Sequence, residues 1–258
     1  MALKFTKEHK EPEKTAEIIM KTLPECSERK MNYSTFTIID IEFEGKTTIL
    51  EYDNPECIII RDRKVLETEP KILTFNNKNS SNKNLRITSF YPKKGDRIIF
   101  SSDGIPQSGL GTPMFPFGWG NENVSRFAID VIKQYPQISA RQLSGRILNM
   151  AYRHDGFQSK DDTSCGIVYY REPRTLSYCT GPPFEYENDP TMAKTVKEFT
   201  GKKIIMGATT GDIIARELNL QITNGFKFDD PELPPISVID GIDLYTEGIL
   251  TLNKVEKY

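Results

Sequence analysis

The chain has 258 residues, of which 37% are hydrophobic and 27% are charged, as expected of a globular protein with a sizeable core. A net charge of −2 excludes the basic field that attracts nucleic acid or anionic lipid. With four cysteines that form no C-x-x-C pair and only two histidines, a zinc site of thiolates and imidazoles is not expected. No signal peptide or run of about 18 apolar residues is found, which predicts a cytoplasmic protein outside the membrane.

The first third of the chain predicts helices followed by antiparallel strands. Residues 1–10 have the pattern of the last turns of a helix, and a second helix is predicted over residues 11–22. From Ser34 onward, apolar and polar residues alternate on both sides of Glu44-Gly45-Lys46, which is the pattern of a β-hairpin. Further strands are predicted in the stretches CIIIRDRKVLE, LRITSFY and DRIIFSS.

A loop rich in glycine and proline covers residues 103–120, and it is too long to be a plain connection. Two helices are predicted after it, in the stretches NENVSRFAIDVIKQY and ISARQLSGRILNMAYRH. His154, at the end of the second of these helices, could serve as a general acid, but a cation that interacts with the last carbonyls is the favoured interpretation. Trp119 is interpreted as a packed anchor of the loop or as part of a substrate groove.

The proline-rich and acidic segment over residues 181–190 predicts a domain boundary. On this basis the chain divides into a domain of residues 1–180 and a small α/β extension of residues 181–258. Within the extension, residues 202–218 predict a strand, a glycine loop and a helix, a shape that can bind anions at the helix N-terminus. The Gly-Lys-Ser/Thr sequence of a P-loop is absent, so the stretch is a weak candidate for a nucleotide site.

Three aspartates at predicted strand ends are the candidate site residues. Asp103 follows the strand DRIIFSS, and Asp161 and Asp162 precede the strand TSCGIVYY. If the two strands are antiparallel neighbours, the three carboxylates converge at one edge of a sheet. Ligands that are all oxygen favour Mg²⁺ or Mn²⁺, and a metal-bound water is a nucleophile near neutral pH. On spacing alone, the alternative that all three are ordinary turn residues is favoured.

The stretches GDRIIFSSDGI, FGWG and KDDTSCGIVYY resemble the stage II sporulation protein E family of PPM-type (type 2C-like) metal-dependent serine/threonine phosphatases. In that family a strand ends in an S-D-G motif, and a later strand begins with D-D-x-T or D-N-x-T. The hairpin stretch YSTFTIIDIEFEGKTTILEYDNPECIIIR also looks like the central hairpin of the family. The resemblance covers about residues 6–173.

The resemblance implies an α/β fold, a PPM-type sandwich of mainly antiparallel sheets flanked by helices, with the small α/β element at its C-terminal end. It implies that Asp103 and Asp161 are metal ligands and that Asp162 stands beside them. The cofactors implied are two Mn²⁺ or Mg²⁺ ions. The implied activity is hydrolysis of phosphoserine or phosphothreonine on a phosphorylated partner protein by a metal-activated water. No nucleic acid or membrane partner is expected.

One departure from the family pattern concerns its first metal motif, a D-G-x-G turn before the first long helix, which has no match in this sequence. Residues 1–10 look like the second half of that helix. We therefore expect the chain to lack the N-terminal strands of the sandwich, to have an incomplete ligand set, and to be weakly active or inactive by itself. An edge left by missing strands would favour self-association. The alternative function is a non-catalytic phosphoprotein-binding or regulatory module that has lost its metal site.

Overall fold

The protein is represented by a computed structural model that describes residues 12–22, 35–75, 83–225, 236–246 and 248–256. The predicted helix over residues 1–10 lies outside this range. Contacts between residues divide the chain into two compact units, Met1–Arg171 and Glu172–Tyr258. None of the helices in the described ranges is long and apolar enough to cross a membrane.

The first unit contains helices and two sets of strands. In chain order its described elements are α1 (Pro12–Thr22), β1 (Phe36–Ile41), β2 (Thr47–Tyr52), β3 (Ile58–Arg61), β4 (Lys64–Val65), β5 (Lys71–Phe75), β6 (Lys83–Phe90), β7 (Arg97–Ser101), α2 (Asn121–Gln134), α3 (Ala140–His154) and β8 (Cys165–Tyr169). The strands form two four-stranded sheets, with orders β1-β2-β6-β5 and β4-β3-β7-β8. Every pairing in both sheets is antiparallel.

The two sheets share one apolar layer, because side chains alternate between the faces of each strand. Ile49 from β2, Ile59 from β3 and Ile98 from β7 are buried together in a single cluster. This cluster joins the inner faces of the two sheets, which therefore pack as a sandwich. The stretch CIIIR, which contains β3, is a continuous apolar run because both faces of this strand are covered.

Helices cover the outer faces of both sheets. Ala16 and Met20 of α1 pack in one cluster with Leu50 and Leu85 of the first sheet. On the second sheet, the residues next to Ile59 and Ile98 along the strands point to the other face and pack against α2 and α3. This cluster contains Ile58, Ile60, Ile99, Val124, Ala128, Leu143 and Ile147. The order of layers is helix, sheet, sheet, helices. The predicted α/β sandwich of antiparallel sheets flanked by helices is thus confirmed.

A buried ion pair fixes the start of β7. Asp96 is only 1% exposed, and its carboxylate accepts hydrogen bonds from Arg61 Nη2 at 2.6 Å and from the Lys93 amide at 2.7 Å. Arg61 also donates through Nε to both carboxylate oxygens, so the pair is bidentate. Hydrogen bonds from charged donors to a buried carboxylate are the strong kind. They hold the turn before β7 against the end of β3.

The second unit is built around a parallel sheet. Its described elements are β9 (Leu176–Thr180), a 3₁₀ turn (Tyr186–Asn188), α4 (Asp189–Glu198), β10 (Lys202–Met206), α5 (Ala208–Leu218), β11 (Ile222–Thr223), β12 (Val238–Ile239), β13 (Leu244–Thr246) and α6 (Gly248–Glu256). The sheet has the order β13-β10-β9, and β11 pairs with β12 in a separate antiparallel ribbon. Val196, Ile205, Ile214, Ile239 and Tyr245 form its buried core.

The division between the units falls earlier than the sequence predicted. We predicted it after residue 180, in the proline-rich segment, whereas the contacts divide the chain after Arg171. The reason is β9, which lies before that segment but pairs with β10 along its whole length, from Lys202↔Leu176 to Met206↔Thr180. The proline-rich segment is a loop within the second unit, between β9 and α4.

Phe100 and Gly166 are opposite each other on β7 and β8, and the Phe100 ring packs against the Gly166 backbone. A Cβ added to Gly166 would lie 2.2 Å from Phe100 Cζ. We therefore expect Gly166→Ala to lower the free energy of unfolding by about 1–3 kcal/mol, the usual cost of overpacking. Urea denaturation of the full chain measures it.

Gly145→Ala is the matched control, because a Cβ at Gly145 in α3 would meet nothing within 4 Å. Alanine is the better helix former, so this change should raise the free energy of unfolding by about 0.5–1 kcal/mol. Gly166→Ala with wild-type stability would contradict the close packing, whereas partial rescue by Phe100→Leu would identify the Phe100 ring as the obstacle.

Candidate functional site

The strand ends that carry the candidate aspartates are neighbours. Strands β7 and β8 pair antiparallel, with Ser101 opposite Cys165. The end of β7 therefore lies beside the beginning of β8, as the sequence predicted. The S-D-G segment, residues 102–104, and the D-D-T-S segment, residues 161–164, are brought to the same edge of the sheet.

Ser102 joins these two segments through three hydrogen bonds. Its amide donates to the Ser164 carbonyl oxygen at 3.1 Å, which extends the β7–β8 ladder by one residue. Its hydroxyl accepts from the Ser164 amide at 2.9 Å and donates to the Asp162 carbonyl oxygen at 2.8 Å. Beyond the last paired residues of β7 and β8, the two segments are therefore held together by the hydrogen bonds of the Ser102 side chain.

Gly104 shows how closely the two segments approach. A Cβ at this position would lie 2.7 Å from the Asp162 carbonyl oxygen and 2.8 Å from Thr163 Oγ1. Only glycine fits this space without displacing backbone. Close packing therefore explains why the S-D-G motif has a glycine at this position. The backbone of residue 104 lies directly against residues 162 and 163.

The candidate carboxylates themselves are exposed. Asp161 Oδ1 accepts a hydrogen bond from the Asp162 amide at 2.8 Å, and Asp103 Oδ2 accepts a long one from Gln107 Nε2 at 3.3 Å. The carboxylate of Asp162 accepts no hydrogen bond within the described ranges. The Asp161 contact is of the kind that turn residues make, so solvent and local backbone compensate part of the negative charge.

The described residues contain no group of three or more His, Cys, Asp or Glu side chains arranged to hold a metal ion. The convergence of three carboxylates that we expected is therefore not seen in this part of the chain. Asp103 and Asp161 stay predicted ligands, with Asp162 beside them. Their exposed carboxylate oxygens suit Mg²⁺ or Mn²⁺, since Mg²⁺ usually retains several waters and uses only one or two carboxylates.

A cavity of about 460 Å³ with both polar and apolar lining residues adjoins this edge. Its lining includes Ser102 and Ser164 from the two segments, and Thr37 and Asn54 from the first sheet. Asn54 Nδ2 donates to Thr37 Oγ1 at 3.1 Å, so these two polar groups hold each other in place. Sequence analysis missed both, because single polar residues at strand ends carry no motif and only the packing of the sheets brings them to the site.

The long loop after Asp103 is anchored to the end of α3. Ser108 Oγ lies 3.4 Å from His154 Nδ1, and the Gly109 amide donates to Asp155 Oδ1 at 2.7 Å. The His154 ring is flanked by Phe115 and Trp119, with centroids 4.3 Å and 4.8 Å away. Trp119 is 4% exposed, which identifies it as a packed anchor.

The interpretation of His154 as a helix-terminal cation is wrong at neutral pH. Burial among the aromatic rings lowers the pKa of its imidazole below 6.5, and the nearby Asp155 carboxylate opposes this shift only in part. The neutral ring is therefore the stable form around pH 7. Its role is to pack the loop that begins at Asp103.

Comparison with solved structures finds the phosphatase domain of the cell fate determinant SpoIIE from Bacillus subtilis. The manganese-presoaked structure has 16% sequence identity and a TM-score of 0.46, covering 67% of this chain and 73% of that one. A second structure has 19% identity and a TM-score of 0.45 with the same coverage. A third, from a crystal form without domain swapping, has 16% identity and a TM-score of 0.44, covering 68% and 73%.

No family model matches the chain, and no curated protein matches it. The solved structures to which the chain is similar are those of a phosphatase domain.

The Ser102 hydroxyl predicts a local change that hydrogen exchange can detect. In Ser102→Ala the Ser164 amide loses its acceptor, so its exchange with solvent should become faster by about fivefold, the equivalent of about 1 kcal/mol. Ser144→Ala in α3 is the control, since its hydroxyl bonds only the Arg141 carbonyl of its own helix. Unchanged exchange at Ser164 would contradict the bridging role of Ser102.

The lowered pKa of His154 predicts how stability depends on pH. The unfolded chain binds a proton at His154 near pH 6.5, before the folded protein does. The full contribution to stability is therefore present above pH 6.5 and is lost as the pH falls toward the folded-state pKa. His154→Asn should flatten this part of a stability–pH curve. An imidazole pKa of 6.5 or higher by NMR titration would contradict the prediction.

Proposed function

We propose that the first unit is a metal-dependent phosphatase that hydrolyses phosphoserine or phosphothreonine on a partner protein. The observation that carries the proposal is the meeting of the S-D-G and D-D-T-S segments, joined by the Ser102 hydroxyl and by the close approach of Gly104 to Asp162. Two acidic segments from distant parts of the sequence are held at contact distance at one edge. Both carry exposed carboxylates beside a cavity that Ser102 and Ser164 help to line.

In this proposal Asp103 and Asp161 hold Mn²⁺ or Mg²⁺. The ion supplies a water made nucleophilic near neutral pH and a positive charge that stabilises the phosphoryl oxygens. Asp162 holds Asp161 in place, because its amide donates to Asp161 Oδ1. Ser102 keeps the two segments together. The family's two-ion arrangement requires further ligands beyond Asp103 and Asp161.

The adjacent cavity suits a polar, uncharged part of the substrate. Thr37, Asn54, Ser102 and Ser164 offer hydroxyl and amide groups there, and no charged side chain is among its lining residues. Groups of this kind can donate to a phosphoryl oxygen or to a peptide carbonyl. The phosphate charge itself would then be balanced at the aspartates, by the metal.

A second candidate function follows from the small number of potential metal ligands at this edge. Because the described residues hold no group of three potential ligands, the same edge also suits a non-catalytic phosphoprotein-binding or regulatory module. In both cases the partner is a phosphorylated protein, with no nucleic acid or membrane involved. Self-association and a cytoplasmic location stay predictions from the sequence.

The test is hydrolysis of p-nitrophenyl phosphate and of a phosphoserine peptide by the full chain with and without Mn²⁺. We expect weak turnover, just above background, that requires the metal and is lost in Asp103→Asn, because that change removes one of two carboxylate ligands. Asp130→Asn is the control, since Asp130 is an exposed residue of α2 that pairs with Lys133. Its turnover should equal that of the wild type.

Two outcomes separate the candidates. Turnover that persists in Asp103→Asn would contradict the assignment of the site. Phosphopeptide binding that is independent of Mn²⁺ and is not accompanied by turnover would favour the regulatory module. Calorimetric titration of the same variants with Mn²⁺ shows directly whether Asp103 binds the ion.

A further inference from the structure

A second cavity of the first unit lies where α2 is connected to α3, and it has a volume of about 690 Å³. It is lined by the end of α2, by the connection that follows and by one face of α3. The lining residues of α3 have the i, i+3, i+4, i+7 spacing of a single helix face. They are Gln142, Gly145, Arg146 and Asn149. The volume falls in the range of sites for small molecules.

The polar groups of this cavity are one cation and several amides. Within the described ranges, Arg146 is the only charged residue of the lining. Its guanidinium lies over the Tyr135 ring, with Cζ 4.5 Å from the ring centroid, and it forms no ion pair in the part of the chain that the structure describes. A guanidinium placed over a ring still has N–H groups available at its edge, and these match the two oxygens of a carboxylate.

A buried cation lies next to the lining of the cavity. Arg97, at the start of β7, is 4% exposed, and its Nη2 donates to the carbonyl oxygen of the lining residue Pro136 at 3.0 Å. Arg97 Nε is buried without an acceptor among the described residues, and the adjacent Asp96 carboxylate is paired with Arg61. Burial lowers the pKa of the Arg97 guanidinium, and Tyr169 opposes this shift. A buried charge is costly unless it is paired, so an anion nearby is favoured.

The sequence around the cavity is basic. Between Asp130 and Asp155 the chain contains no Asp or Glu. Its basic residues in this stretch are Lys133, Arg141, Arg146 and Arg153. Lys133 is paired with Asp130, whereas the three arginines form no ion pair within the described ranges. The positive charge on this side of α3 is therefore not balanced by its own segment, and it attracts an anionic ligand.

The remaining lining offers apolar surface. Tyr135 and Pro136 contribute rings, and Ile138, which is 6% exposed, contributes its side chain. Gly145 leaves one wall of the cavity without a side chain, and a Cβ there would meet nothing within 4 Å. A ligand that fills the cavity therefore needs an apolar body as well as a negative charge.

We propose that this cavity binds a small organic anion, a carboxylate attached to a flat apolar body. The carboxylate pairs with the Arg146 guanidinium, and the body packs against Pro136 and Ile138 and over the open backbone at Gly145. Arg97 binds Pro136 from the start of β7, whereas the acidic segments follow the end of β7. The cavity is therefore separate from the candidate phosphatase site, and the proposal does not depend on phosphatase activity.

The test uses the full chain labelled with ¹⁵N and titrated with 2-naphthoate, and separately with the neutral 2-naphthamide and with acetate, at constant ionic strength. We expect the amide signals of Gly145, Arg146 and Asn149 to shift and saturate with naphthoate. Naphthamide has the same body without the charge and should bind about tenfold more weakly, the effect of losing a hydrogen bond between charged groups. Acetate has no apolar body and should not saturate these signals at the same concentrations.

Two variants separate the charge from the shape of the cavity. Arg146→Gln should weaken naphthoate binding about tenfold and leave naphthamide binding nearly unchanged, because only the charge is lost. Gly145→Leu places a side chain in the cavity and should weaken the binding of both probes. Arg141→Gln is the matched control, since Arg141 is an exposed arginine of the same helix outside the lining, and it should bind naphthoate like the wild type.

Wild-type amide signals that do not respond to naphthoate, or that respond equally to naphthamide or acetate, would overturn the proposal. So would an unchanged naphthoate affinity in a folded Arg146→Gln. A short peptide of alternating glutamate and leucine that binds here more tightly than naphthoate would overturn the assignment to a small molecule and identify a docking groove for a protein. If a variant does not fold, the comparison of the probes on the wild-type chain decides the matter.

Discussion

The antiparallel pairing of β7 with β8 is the constraint on which the site in the first unit depends. It sets Ser101 opposite Cys165, and this register brings residues 102–104 beside residues 161–164. About sixty residues of chain separate the two strands, and they return to the same edge because α2 and α3 pack on the outer face of the sheet. The apolar contacts of Leu143 and Ile147 in α3 therefore help to place the acidic segments, although neither residue is near them in the sequence.

Much of the first unit could be predicted because its strands alternate with period two and its helices are strongly amphipathic. The S-D-G segment was recognised by its resemblance to a family motif, and the close packing of its glycine against Asp162 gives the motif a physical reason. Thr37 and Asn54 could not be found in this way. Their place beside the site depends on how the two sheets stack, and stacking is decided by many apolar contacts at once.

Two interpretations differed from the structure for identifiable physical reasons. Proline content marked residues 181–190 as a boundary, but the hydrogen bonds of β9 to β10 draw the preceding strand into the second unit. His154 had the right position for a helix-terminal cation, yet the rings of Phe115 and Trp119 remove it from water and lower its pKa. Position along a helix predicts charge only where the side chain remains solvated.

The close contact between Gly104 and the Asp162 carbonyl has a consequence for any ligand that arrives at this edge. The two loops touch through their backbones and are joined by a hydroxyl, so their separation is set by van der Waals radii and by a side chain only one carbon long. The two loops are therefore already in contact before a ligand binds. Little of the binding free energy of such a ligand would go into ordering the loops, and preorganisation of this kind favours affinity.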